Sequence, residues 1–306
     1  MIKTILISGG TGLVGKQLVA LLLSKGYKIH LLIRGRKKSD NPGINLFKWD
    51  VYKGLIDPEC ISGVDAVIHL AGENIGSKRW TDERKAQILE SRTESIRLIY
   101  KLIRENKNQV GHVISASAVG FYGSRGDEIL IEESLPAKDF LAETCIEWEN
   151  AVDEGIKLGL RVVKLRSGII LAPEGGLLRQ IDKLLKLGLG VILGSGNQWV
   201  SWIHIQDATN LYVFALENEE MKGIYNLTAP SPVTNSRLTM AIASALKKSP
   251  LYFHLPSRVL KLVLGEMSIL ALGSTRVSSS KVIWAGFNFR YPDIESALNE
   301  IYSNPG

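Results

Sequence analysis

Residues 3–18 read KTILISGGTGLVGKQL. Three segments of different period meet there: an apolar run (3–8), a glycine turn, and a stretch from Gly15 to Lys25 with apolar residues at helical spacing. Gly9, Gly12 and Gly15 stand three apart, as G-x-x-G-x-x-G. Glycine lets the backbone turn sharply and approach another group closely. The helix beyond opens with unpaired N–H groups and the positive end of its dipole. Strand, loop and helix in that order make a cradle for an anion such as a pyrophosphate; the competing reading is a bare tight turn.

Outward from this loop the pattern repeats. YKIHLLIR (27–34), INLFKWD (44–50), VDAVIHLAG (64–72), VGHVISAS (110–117) and LRVVKLRSGIIL (160–171) are near-continuous apolar runs, and a long helix is expected over 82–106. Strands apolar on both faces and separated by helices belong to a parallel sheet covered on both sides. The expected fold is therefore α/β, a Rossmann-like doubly wound parallel sheet. After residue 172 Gly and Leu interleave and prolines appear, which predicts a smaller C-terminal α/β lobe with helices near 235–247, 256–264 and 292–302. WVSWIHIQDATNLYVFALEN (199–218) reads as a return to the main sheet. The expected division is 1–171 plus about 199–228 for the sheet domain, and 172–198 plus 229–306 for the lobe.

The chain of 306 residues is 45% hydrophobic and 22% charged, enough for a sizeable core. Its net charge of +6 is spread out apart from Arg34 to Lys38, and no stacking motif or basic stripe accompanies it, so nucleic acid is not an expected partner. An anionic cofactor or substrate suits the same charge. Two cysteines are too few for a disulfide framework. No signal-peptide pattern precedes the first apolar run and no run of about 18 apolar residues occurs, so no membrane span is expected and the cytoplasm is the expected compartment. No two His, Cys or Asp residues share a metal-ligand spacing, and no metal is expected.

Charge at the end of the second strand separates the two nicotinamide dinucleotides. A carboxylate there would bind a ribose 2′-hydroxyl and repel a 2′-phosphate. Here Arg34 and Arg36 stand about 20 residues beyond the loop with no acid before Asp40, and guanidinium matches phosphate. NADP(H) is favoured over NAD(H); solvated loop arginines are the alternative.

With HLAG (69–72), SASAVGFYG (115–123) and SWIHIQD (201–207), the chain resembles the extended branch of the short-chain dehydrogenase/reductase superfamily, of the NAD-dependent epimerase/dehydratase type. NLTAPSPVTN (226–235), GEM (265–267) and AGFNFRYPDIESAL (285–298) resemble the "epimerase family protein" group with its own C-terminal domain. The resemblance implies that Gly9, Thr11, Gly12, Leu13 and Val14 line the pyrophosphate, and that Arg34 meets the adenosine ribose or its phosphate. It places Asp50 and Val51 at the adenine, Leu70, Ala71 and Gly72 under the nicotinamide-side ribose, and Ser115 to Ser117 near the nicotinamide. Relatives often dimerise through two long helices, here 82–106 and 138–158, which makes a homodimer one expectation.

One departure concerns mechanism. The superfamily pairs a serine with Tyr-x-x-x-Lys on the next helix, where i, i+4 spacing sets both side chains on one face. The tyrosine transfers a proton, and the lysine lowers its pKa and holds the ribose. In DFLAETCIEWENAV (139–152), with Glu149 aligned to the acid that often follows the lysine, Leu141 and Cys145 occupy those positions, and shifting by one residue restores nothing. Ser117 matches the serine. Tyr122 is a substitute acid or a structural tyrosine; Cys145 is a thiol acid/base or a small buried hydrophobe. Lys78, Arg79, Trp80, Arg92 and Glu94 are weaker candidates beside the cleft. Two function classes stay open: an NADP(H)-dependent oxidoreductase or epimerase-like enzyme on a small molecule, and a non-catalytic NADP(H)-binding regulatory or interaction protein.

Overall fold

The computed structural model describes residues 2–35, 39 and 41–303; Arg36 and Asp40 lie outside the described residues. The chain starts with β1 (Thr4–Ser8), α1 (Leu13–Ser24), β2 (Lys28–Ile33), β3 (Ile44–Asp50) and a short return strand β4 (Leu55–Ile56). It crosses back to β5 (Ala66–His69), then runs through α2 (Asp82–Glu105), β6 (His112–Ala118), β7 (Ile129–Leu130), α3 (Phe140–Asp153) and β8 (Arg161–Ser167). The two longest helices start where the sequence supplies a cap. Thr81 accepts from the Arg84 N–H ahead of α2, and the Asp139 carboxylate accepts from Leu141 and Ala142 N–H ahead of α3.

The run 160–171 is two strands, not one. After β8 the chain turns at Gly168, and β9 (Ile169–Leu171) leaves the main sheet. A Cβ on Gly168 would lie 2.5 Å from the Ser201 carbonyl oxygen, so only glycine lets the segments pass there. The chain continues through α4 (Gly176–Lys186), β10 (Leu189–Leu193), β11 (Trp199–Val200), β12 (Trp202–His204), α5 (Ile205–Glu217) and β13 (Gly223–Leu227). Within 199–218, β12 pairs with β9 and α5 covers the main sheet, whereas the strand added to that sheet is β13. Then come β14 (Val233–Thr234), α6 (Asn235–Ala245), β15 (Leu251–Leu255), α7 (Ser257–Leu264), α8 (Ile269–Leu272), β16 (Arg276–Val277), α9 (Ser280–Trp284) and α10 (Ile294–Ser303).

The main sheet has the order β13-β8-β6-β5-β1-β2-β3-β4 and is parallel except at the β3–β4 edge. The strands run outward from β1 to β3, then restart at β5 on the other side of β1. That reversal opens a crevice at the carboxyl ends of β1 and β5, where ligands bind in doubly wound sheets. Alternate side chains of each strand enter opposite layers. Ile5 and Ile7 pack with Leu18 and Leu22 of α1 and Leu211 of α5. Leu6 packs with Ile96 and Ile99 of α2 and Val152 of α3. Each such side chain stabilises the fold by about 1.5–3 kcal/mol. A third core joins Leu178 of α4, Leu238 and Ile242 of α6, and Leu298 and Ile301 of α10.

Candidate functional site

The crevice is lined by Gly9, Thr11 and Gly12 from the loop after β1, by Arg34 after β2, Val51 after β3, and Leu70, Ala71 and Gly72 after β5. Its volume is about 380 Å³. Gly9 sits at φ +73°, and a Cβ there would lie 2.6 Å from the carbonyl carbon and oxygen of Leu70. Both facts exclude a side chain where the two strand ends approach. Helix α1 begins at Gly12 with no side-chain cap and no acid in its first turn, so its first N–H groups stay open to an anion. The loop therefore fits a pyrophosphate.

Several proposed site residues stand apart from the crevice lining. Leu13 packs toward Gly175 and Gly176 at the start of α4, and Val14 packs against the sheet core. The Asp50 carboxylate accepts from the Lys53 N–H (3.2 Å) and so caps the turn after β3. Ser115 is buried; its hydroxyl lies 3.0 Å from His69 Nδ1, and the other ring nitrogen is 2.7 Å from Ser95 Oγ. Burial pulls His69 down to about 3. Tyr52, Glu73 and Ser91 also line the crevice, and sequence reasoning missed them. Glu73 had a signal, as the first acid after HLAG. Arg34 Nη1 is 3.1 Å from Glu73 Oε1, and Arg84 Nη1 is 3.2 Å from Oε2, so the two guanidinium groups hold the Glu73 carboxyl below the usual range against the opposing effect of burial.

A second cavity of about 420 Å³ is lined by Arg92, whose central carbon a Cβ on Gly72 would approach to 3.1 Å. Ser117, Leu141 and Cys145 line it together with Leu177, Trp199 and Leu270. Leu141 and Cys145 thus share a cavity wall with the serine. The Ser117 hydroxyl donates to Glu149 Oε1 at 2.6 Å. Cys145 Sγ lies 3.6 Å from the Ala118 carbonyl oxygen, and burial pushes its thiol up to about 12.

Tyr122 is absent from the lining of both cavities. It is fully buried, donates to Asn226 Oδ1 (2.7 Å) and accepts from Arg166 Nη1 (3.0 Å); burial raises it to about 12 although Arg166 opposes the rise. Arg166 also makes two 2.8 Å bonds to Glu149, Nε to Oε1 and Nη2 to Oε2, and its guanidinium stacks 3.4 Å from the Phe121 ring centre. His204, from SWIHIQD, caps α5 by accepting from the Gln206 N–H and lies 2.9 Å from Glu300 of α10. Among the described residues, no three His, Cys, Asp or Glu side chains gather to hold a metal ion, and no helix is long and apolar enough to cross a membrane.

Residues 5–228 match the model of the NAD dependent epimerase/dehydratase family. The chain belongs to that family. Residues 255–301 match a domain of unknown function (DUF1731). An epimerase family protein of Mycobacterium bovis is 34% identical over 302 residues, 98% of each chain. A human epimerase family protein solved with NADPH is 29% identical, covers 98% of this chain and 99% of its own, and superposes with a TM-score of 0.85. A UDP-glucose 4-epimerase of Thermus thermophilus solved with NAD shares the fold at 20% identity, with a TM-score of 0.75 and 98% of each chain covered. The chain thus joins the epimerase/dehydratase domain to an additional C-terminal domain of unknown function.

Proposed function

We propose that the protein is an NADP(H)-dependent oxidoreductase or epimerase-like enzyme for a small molecule, working without the usual Tyr-x-x-x-Lys pair. The observation that carries this is proximity: Gly72 lines the crevice that has the open helix terminus and glycine cradle, and a Cβ on it would come within 3.1 Å of Arg92, which lines the cavity walled by Ser117 and Cys145. A nicotinamide dinucleotide, when bound, supplies hydride transfer. In this reading Gly9, Thr11, Gly12, Leu13 and Val14 receive the pyrophosphate, and Asp50 and Val51 the adenine. Leu70 to Gly72 support the nicotinamide-side ribose, and Ser115 to Ser117 border the nicotinamide. The main-sheet residues 1–171 with 199–228 form the cofactor domain, and the rest closes the substrate cavity. The two free, buried thiols suit a reducing compartment, the cytoplasm.

Support for the 2′-phosphate comes from Arg34, whose side chain is 75% exposed. An exposed ion pair such as Arg34–Glu73 is worth only about 0–1 kcal/mol, so Arg34 can exchange Glu73 for phosphate at little cost. The human relative solved with NADPH points the same way. NADPH is expected to bind at least tenfold more tightly than NADH, and Arg34→Asp to remove the difference. An unchanged preference in that variant sinks the cofactor assignment.

A second reading, a non-catalytic NADP(H)-binding protein, is favoured by Leu141 and Cys145 standing where a proton-transfer pair belongs. Hydride exchange between bound NADPH and any carbonyl compound in a broad substrate screen rules it out; no turnover across that screen supports it.

A further inference from the structure

The second cavity is chemically lopsided. Among the described residues that line it, Arg92 carries the sole charged side chain. The rest of its wall is largely hydrocarbon and indole, from Leu141, Trp148, Leu177, Leu193, Ile269 and Leu270. Apart from the Trp148 indole N–H, the Asn235 amide nitrogen and the Thr275 hydroxyl, all of them uncharged, the side-chain donors on that wall are already engaged within the protein. Ser117 donates to Glu149 (2.6 Å), Thr144 to the Phe140 carbonyl (2.7 Å), Ser167 to the Ser117 carbonyl (2.9 Å) and Ser201 to the Thr275 carbonyl (2.7 Å). Even the Trp199 indole N–H is held by Asp127 (2.7 Å).

Arg92 differs. Nη1 donates to the Ile88 carbonyl (2.7 Å) and more weakly to Ser91 Oγ (3.4 Å), and Nη2 donates to the Glu73 carbonyl (3.0 Å). A guanidinium has five N–H donors, so Nε and one hydrogen of Nη2 are left without a partner among the described residues. No carboxylate pairs with it there either. The group packs over the Trp148 ring with 5.1 Å to the centre, and a Cβ on Gly72 would come within 3.1 Å of its central carbon. It therefore lines the apolar cavity while lying against Gly72 of the dinucleotide crevice.

We propose that this cavity takes an apolar molecule bearing a single carboxylate or carbonyl oxygen, and that Arg92 holds that oxygen at the cavity end adjoining the dinucleotide crevice. The proposal rests on the cofactor reading above. It selects against nucleoside diphosphate sugars, whose diphosphate and hydroxyls need many donors where the wall offers one free guanidinium. A hydrocarbon body buries apolar wall, and one oxygen matches one charged donor.

Octanoate is the probe, titrated by calorimetry into the full-length protein with and without NADP+. NADPH titrations of the same preparation test the cofactor reading separately. Binding of octanoate, weakened at least tenfold in Arg92→Leu and less than threefold in Arg92→Lys, is the expected result. Leu270→Trp, which fills the cavity mouth from an exposed position, should weaken it at least fivefold. Loss of NADPH binding by the wild type overturns the cofactor reading. The present proposal falls if octanoate fails to bind, if Arg92→Leu binds it as wild type does, if Leu270→Trp leaves its affinity unchanged, or if UDP-glucose competes with it.

Discussion

Removing one partner of the Glu149–Arg166 pair should destabilise the protein far more than removing both. Glu149 is 5% exposed and Arg166 1%, and both oxygens of one meet two nitrogens of the other at 2.8 Å. Glu149→Leu leaves a guanidinium in the interior with only Tyr122, the Glu132 carbonyl and aromatic faces for company. Breaking one side of such a pair costs about 3–5 kcal/mol, because the surviving charge keeps its desolvation penalty. With unfolding entropy of about 2.1 cal/mol/K per residue over 306 residues, 4 kcal/mol lowers Tm by about 6 °C. Replacing both by Glu149→Leu with Arg166→Met removes both charges at once. It forfeits the bonds to Ser117 and Tyr122, each about 1 kcal/mol, so the double variant should be more stable than either single one. Urea unfolding and scanning calorimetry of the four proteins complete the cycle. Single losses below about 1 kcal/mol, or a double variant that loses the sum of both, would refute the account of a mutually dependent buried pair.

Other consequences are as direct. Gly9→Ala combines a left-handed φ, costing about 1–2 kcal/mol, with a 2.6 Å backbone clash. It should weaken NADPH binding at least tenfold in a fluorescence titration, and wild-type affinity would contradict the cradle. With its thiol held at about 12, Cys145 should carry about one thiolate in ten thousand or fewer at pH 7.5; rapid native-state alkylation mapped to Cys145 by mass spectrometry would contradict that. The folded His69 value of about 3 lies below the ordinary value of about 6.5. Its contribution is complete above about pH 6.5 and is lost as pH falls from there toward 3, because only the unfolded chain takes up the proton in that window. The urea midpoint should fall between pH 7 and 4, and fall less steeply in His69→Gln. Parallel slopes would assign the acid sensitivity elsewhere.

Elements with a single period are legible in the residues alone. INLFKWD matches its strand at both ends, and 82–106 and 138–158 are each helical to within a few residues. The strand expected over 160–171 is too long because apolar character continues through Gly168. The chain changes sheet there for a long-range reason, the backbone at Ser201, which local pattern does not contain. The candidate site divides in the same way. Gly9, Gly12 and Leu70 to Gly72 lie beside strand ends, so strand assignment already places them in one crevice. Arg34 is recognisable by its sign and position, whereas its partner Glu73 depends on how the loop after β5 folds.

By itself the sequence determined a doubly wound sheet, a glycine loop between its first strand and first helix, and Leu141 and Cys145 at i, i+4 spacing on one helix. Those features follow from side-chain period, backbone freedom at glycine and residue identity at fixed spacing, all properties of short segments. Tertiary structure decided which charges remain free to act. Arg166 and Arg92 look alike as letters, one in an apolar strand and one on a polar helix. Packing gives Arg166 the Glu149 carboxylate and encloses both, while Arg92 is lodged between Gly72 and Trp148 with donors to spare. Burial and partnership depend on segments far apart in the chain meeting at one place, and only the folded chain brings them there.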